Sequence, residues 1–317
     1  MPGERLSKIL EDLEAAGQSL LVSSPGTYLR TPGWLSISSD GVEVFTRARC
    51  LGFAVSPGED RIALAAIGPG NMQPTGLHIY DRCGMVMYRR LDAVKDPHDL
   101  RWNKAGIEVV STGTNEIVTL DESGEVVSAW RPVPGLEGDC WHLNCPAEAQ
   151  GRLYISAFGD FRVPRGWNPW QEKARGRGFV YDVAKGEPLL SGLTAPHTPV
   201  WTSGSWLVCD SGVGDLVEFD ADGVPLRRKH IANWTRGMIL GEEWLLVGTT
   251  SIAPKNSEGN ISALLLLDRQ DWQVIEQLDL AGYEPYTVAL VPSDLLMGLR
   301  TGVTGSSLDA GPTLRVR

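Results

Sequence analysis

Positive charge is what this sequence is short of: 29 Lys and Arg stand against 39 Asp and Glu, for a formal net charge of -10. Nucleic acids and anionic membranes both reward clustered Lys and Arg, so neither is an expected partner, and a small or cationic ligand suits the balance better. Membrane-length apolar runs are missing, and the opening MPGERLSKILEDLEAAG has no apolar stretch of the kind that directs export. Cysteine is sparse. Cys50, Cys83, Cys140, Cys145 and Cys209 are an odd number with no close pair at zinc-ribbon spacing, which predicts free thiols and a cytoplasmic setting. Also lacking are a Walker A loop, a dinucleotide GxGxxG behind a strand, a GxSxG elbow and a CxxC pair. The glycines of GVGDLV and RGRGF fall at strand turns, where backbone conformation accounts for them.

What the chain does hold is 36 Gly and 20 Pro within a sequence that is 42% hydrophobic, a balance suited to many short strands joined by tight turns. Leu6, Ile9, Leu10 and Leu13 recur at helical spacing, predicting one amphipathic helix within residues 1–18 that packs outside the rest. From Ser19 onward the pattern is of short apolar runs between turn residues, the signature of meandering sheet. The segment from His197 to Gly223 lies on that from His98 to Gly124 without a gap. Trp201 and Trp102 follow four positions after the histidine, Asp220 and Asp121 twenty-three, and Gly223 and Gly124 twenty-six. A repeat at this spacing points to propeller blades.

Carrying the register along the chain yields six repeat starts: Cys50, His98, His142, His197, Thr235 and Tyr286, the last inferred by treating LLMGLR from Leu295 as a second strand. Six starts with a partial unit at each end predict an all-β, six-bladed β-propeller over residues 19–317, a single domain closed by pairing C-terminal strands with the N-terminal blade. The unit that begins at His142 carries about 17 additional residues, an insert at 160–176 containing Trp167 and Trp170. It is expected to be a lid over the histidines and, as a surface insertion, dispensable for stability. The alternative is a loop whose tryptophans merely cover exposed sheet.

The motifs HDLRW, DCWHLNCP, SAFGD, GRGFVYDV, PHTPVW and CDSGVG together resemble a family of bacterial propeller-like proteins known only as a domain of unknown function. The resemblance covers nearly all of the chain after the first helix. It implies a fold and no reaction.

In a propeller the first strand of each blade lines the central channel, so the six repeat starts form a ring, and three of the five histidines fall in it. His98, His142 and His197 converging with an open position would make a catalytic site for a divalent transition metal, Zn, Mn or Fe. Two other readings stay open, in which the histidines hydrogen-bond across the blade tops or bind an anionic substrate directly. Arg101 and Arg236 lie near ring positions and could clamp a carboxylate or phosphate. Glu284 and Tyr286 could supply an acid or base, Thr235 shares the ring, and Asp99 could orient an imidazole. Asp210 is read as a turn brace, and His78 and His230 lie off the ring. The expected function is a metal-dependent lyase or hydrolase for a small polar metabolite or peptide-like ligand in the channel. The alternatives are a non-catalytic binding propeller and a metal-free epimerase or cyclase with Tyr286 or Glu284 as base.

Overall fold

The computed structural model describes residues 1–26, 32–46, 49–67, 75–250, 262–280, 282–305 and 315–316, with the side chains of 46, 50, 301–305 and 315–316 outside the described set. Its described strands form five four-stranded antiparallel meanders and one five-stranded antiparallel sheet that combines strands from both ends of the chain, and together they make a six-bladed β-propeller. The chain falls into two compact units, one of residues 1–91, 102–104 and 237–317, the other of 92–101 and 105–236.

In the first unit, Val288–Pro292 pairs antiparallel with Gln18–Pro25, Leu290 opposite Leu20, so the last blade strand joins the first blade as expected. Arg315–Val316 adds a further pairing on Gly41–Thr46. The helix Glu4–Ala15 buries Leu6 and Leu10 against Leu20, Leu35, Ile37 and Leu266. Its first turn is capped by Glu276, whose carboxylate accepts from the N–H groups of Arg5 at 2.8 Å and Leu6 at 2.9 Å. A negative charge there offsets the partial positive charge of the unpaired amides.

One expectation is corrected. LLMGLR is not a strand but lies in the helix Ser293–Gly305. Leu295, Leu296 and Leu299 are buried together on one face, a helical spacing that outweighs the short-run appearance of the segment. Gly298 fits there because a Cβ would meet the Asp81 carbonyl at 1.7 Å. The second strand of that blade is Gln18–Pro25 instead, and Tyr286 still precedes the first.

In the second unit the first strands of three blades are Pro97–Asn103, Leu143–Ala149 and Pro196–Trp201. Register slips after His197 and after Leu143, each reading as a β-bulge just beyond a repeat start; in the first unit a slip follows Cys50. Bulges bend a strand and re-aim its side chains, and they concentrate beside functional sites. A second recurring device links one blade to the next at three junctions: a hydroxyl after or within the second strand donates to a backbone carbonyl of the following first strand. Ser23 reaches Leu51 O, Thr112 reaches Leu143 O, and Ser211 reaches Thr235 O. Outermost strands such as Pro225–His230 are exposed and carry Arg227, Arg228 and Lys229, charges that discourage edge pairing.

Candidate functional site

Five of the six repeat starts fall within the first strand of a blade or one to two residues before it, and Cys50 does so by its backbone, its side chain lying outside the described residues. The second unit holds four of them, His98, His142, His197 and Thr235, and there the histidines gather. The His98 and His142 ring centroids are 4.8 Å apart, and Phe158 lies 4.3 Å from His142 and 5.8 Å from His197. Phe158 belongs to SAFGD, a motif recognised in the sequence but given no role.

Each imidazole is held differently. Asn144 Nδ2 donates to the His142 carbonyl, which turns Oδ1 toward His98 Nδ1 at 2.8 Å, so that nitrogen carries a proton. The other nitrogen faces the Asp96 carboxylate at 3.5 Å. Burial works against charge on His98, but Asp96 and the Asn144 amide outweigh it and the pKa is raised. His142 sits at φ 53°, a left-handed conformation unusual for a residue with a Cβ, and its Nδ1 lies 3.0 Å from Asp139. Burial lowers its pKa against the pull of Asp139, with His98 adding repulsion.

His197 is the most enclosed of the three at 2% exposure. The Ser211 hydroxyl gives its hydrogen to Thr235 O, so Ser211 Oγ accepts from His197 Nδ1 at 2.9 Å, alongside Ala195 O at 3.0 Å. The proton is thereby fixed on Nδ1, and Nε2 keeps its lone pair. Burial drives this pKa well below the ordinary imidazole value, and Arg236, His98 and His142 push the same way. Non-glycine residues with positive φ bracket the ring: Ala195 and Thr198 around His197, and Asp96 two positions before His98. Such conformations persist only where surrounding structure enforces them.

The insert covers this cluster. Trp167 packs on His142 at 4.1 Å, with its Nε1–H directed to Asp139 Oδ1 at 3.1 Å. Trp170, in the short helical turn Trp170–Lys173, packs on Trp234 at 4.9 Å, and Trp234 lies 5.5 Å from His197. Phe158, Phe161, Trp167, Ala174, Ala195 and Trp234 form one apolar cluster. The insert is therefore an integral cap, and the expectation of a dispensable surface loop is corrected by the burial of Phe161, Trp167 and Ala174.

The other sequence candidates separate. Arg236 belongs to the cluster, its guanidinium 5.3 Å from the Trp234 ring and its charge felt by His197, Cys145 and Cys209. Asp99 acts on Cys145, whose thiol burial raises well above its usual range. Arg101 instead spends its guanidinium on Glu108 at 2.7 Å and Glu148 at 2.6 Å. Glu284 and Tyr286 are buried in the first unit, where Ser24 Oγ accepts from the Glu284 N–H at 2.9 Å and the Tyr286 ring packs with Leu51 and Ile67. Asp210 is a brace, accepting from Arg228 at 2.7 Å and from the Thr194 N–H. His230 pairs with Asp215 on the surface.

Among the described residues no group of three or more His, Cys, Asp or Glu side chains converges so as to hold a metal ion. Around the expected triad of His98, His142 and His197, Phe158 packs against two of the rings, and both nitrogens of His98 face protein groups.

Fold and site together define a six-bladed propeller with a histidine-centred, aromatic-capped cluster on three consecutive blades. The chain belongs to the family described as Domain of unknown function (DUF4915), whose model matches residues 71–271. No curated protein matches it in sequence. Among solved structures, a nidogen/laminin complex aligns with TM-score 0.61 at 12% identity, covering 87% of this chain and 99% of that one. A protein of unknown function from Bacteroides caccae aligns with TM-score 0.59 at 15% identity over 87% and 99%. A periplasmic gluconolactonase from Pseudomonas aeruginosa aligns with TM-score 0.52 at 13% identity over 86% and 99%. At such identities these likenesses establish the propeller fold. Among the described residues no helix is long and apolar enough to cross a membrane.

Proposed function

We propose that the protein is a hydrolase in which His197 and His98 perform acid–base chemistry on a small polar substrate. One observation carries the reading: two imidazoles of the same buried cluster are held in contrasting surroundings, His197 with its Nδ1 proton directed to Ala195 O and Ser211 Oγ and His98 with a ring nitrogen beside the Asp96 carboxylate. Environments that drive like groups apart in this way are how one site supplies both an acid and a base near neutral pH. In this reading His197 Nε2 takes a proton from water as the water oxygen bonds to an acyl carbon. The C–O bond then breaks, and the departing oxygen takes a proton from His98. The aromatic cap limits bulk water around the reacting groups. A gluconolactonase shares the fold, which makes lactones and esters the first class to assay and supplies no chemistry of its own.

A second reading keeps the metal. The Nδ1 atoms of His142 and His197 are both held by protein groups, the usual arrangement behind a metal ligand, but the rings would have to turn inward past Phe158. The deciding assay follows hydrolysis of a panel of small lactones and carboxylic esters by the full chain. Turnover by the wild type that falls at least about a hundredfold in His197→Gln and in His98→Gln supports the proposal. No turnover on any member, or turnover indifferent to both changes, overturns it and leaves the binding-propeller reading ahead.

A further inference from the structure

Beside His197 the cluster has an unfilled donor. Trp234 is 5% exposed, and its indole Nε1–H finds no acceptor among the described residues, although Trp167, the other tryptophan packed on a histidine, satisfies its own on Asp139. A buried N–H without a partner costs on the order of 1–3 kcal/mol; Trp34 and Trp141 also bury an indole N–H with no acceptor among the described residues, and of the three it is Trp234 whose ring packs against His197, where an acceptor could arrive with a ligand. The half-buried Arg236 lies over the same indole and acts on His197. The insert adds a separate observation. In a chain of net charge -10, residues 160–177 carry five basic side chains against two carboxylates, and Arg162, Arg165, Lys173, Arg175 and Arg177 are all exposed. The cap over the cluster is thus locally cationic on an acidic protein, a pattern that draws anions toward one place.

We infer that Trp234 and Arg236 form an anion subsite next to His197, and that the substrate carries a carboxylate which they hold while the basic cap steers it inward. The inference rests on the reading of this cluster as the substrate site. A carboxylate fits better than phosphate: two donor groups match its two oxygens, whereas a dianion would meet more repulsion from Asp96, Asp99 and Asp139 around the histidines. This keeps the small ligand suggested by net charge and replaces the cationic one, because the local charge of the cap opposes that of the whole.

The test is calorimetric titration of the full wild-type chain with sodium gluconate, its uncharged counterpart sorbitol, and inorganic phosphate. Gluconate should bind at least about tenfold more tightly than sorbitol and more tightly than phosphate. Trp234→Phe, which keeps the ring and removes the donor, should weaken gluconate about tenfold, and Arg236→Gln should weaken it by about tenfold to a hundredfold. Reversing Arg162, Arg165 and Arg175 to Glu should slow association at low salt and leave it nearly unchanged at high salt. Equal binding of gluconate and sorbitol, preference for phosphate, or affinity unaffected by both Trp234→Phe and Arg236→Gln would overturn the inference. Carboxylate binding without turnover of any ester sinks the hydrolase reading and leaves the subsite standing; turnover of neutral esters with no carboxylate preference does the reverse.

Discussion

The Trp167 ring rests on that of His142 at 4.1 Å, and both side chains place a nitrogen within 3.1 Å of the same oxygen, Asp139 Oδ1. A residue of the insert and a residue of the ring are thereby held by one carboxylate. Closing the site and building the fold are the same set of contacts.

Trp167→Ala should therefore cost about 3–5 kcal/mol, the usual price of removing a large buried aromatic. Urea unfolding would show a lower midpoint with little change in slope. A loss below about 1 kcal/mol would mean that the insert lies on the surface after all.

The ring was legible because blade offsets repeat: equal spacing puts His98 and His197 each second in a first strand, whatever the rest of the blade does. The partners of those histidines were not legible, since Asn144, Phe158 and Ser211 reach them only after neighbouring strands have paired. Two signals could have been read. Asp96 and Asp139 precede ring histidines by two and three positions, and Trp234 precedes Thr235 where Pro97 and Pro196 stand in the two histidine copies that align without a gap. The terminal helix was misread because a six-residue apolar run is equally consistent with strand and helix until Ser293 and the spacing of Leu295 and Leu299 are weighed.

Ser23→Ala tests the hydroxyl links between blades. Ser23 Oγ donates to Leu51 O and accepts from the Thr287 N–H at 3.0 Å, so alanine leaves that N–H without its acceptor and Leu51 O with the Thr287 hydroxyl, at 3.1 Å, as its remaining side-chain donor. The expected loss is about 1–3 kcal/mol, read from the urea midpoint. A change within about 0.5 kcal/mol would show that water or a neighbour replaces the hydroxyl.

Stability should depend on pH through His78 in a predictable direction. Burial lowers its pKa from 6.5 to about 4, so between those values the unfolded chain binds a proton that the folded chain does not. Its contribution to stability is complete above pH 6.5 and is lost as pH falls toward 4, with a limiting slope of about 1.4 kcal/mol per pH unit. His197, also lowered, has the same sign. His98, raised, has the opposite one: its contribution is present below its unfolded value and is lost as pH rises through the folded value. His78→Leu should flatten the dependence of the urea midpoint on pH across the acid window. An unchanged slope would mean that His78 titrates alike in both states.

Metal analysis of protein purified without an affinity tag or chelator separates the two catalytic readings. The gathered histidines are not arranged with other His, Cys, Asp or Glu side chains to hold a metal ion among the described residues, so transition-metal content should lie well below one equivalent and added chelator should leave both fold and any turnover intact. The contrary result has a recognisable form. About one equivalent of Zn, Mn or Fe, lost in each of His98→Ala, His142→Ala and His197→Ala and retained in His78→Ala and His230→Ala, would require the rings to turn toward a common centre. Phe158 would then have to leave its place against His142 and His197, and Phe158→Ala, by removing that obstacle, should raise metal affinity in the same protein. If instead metal is low and Phe158→Ala does not recruit it, the histidines act through their own protons.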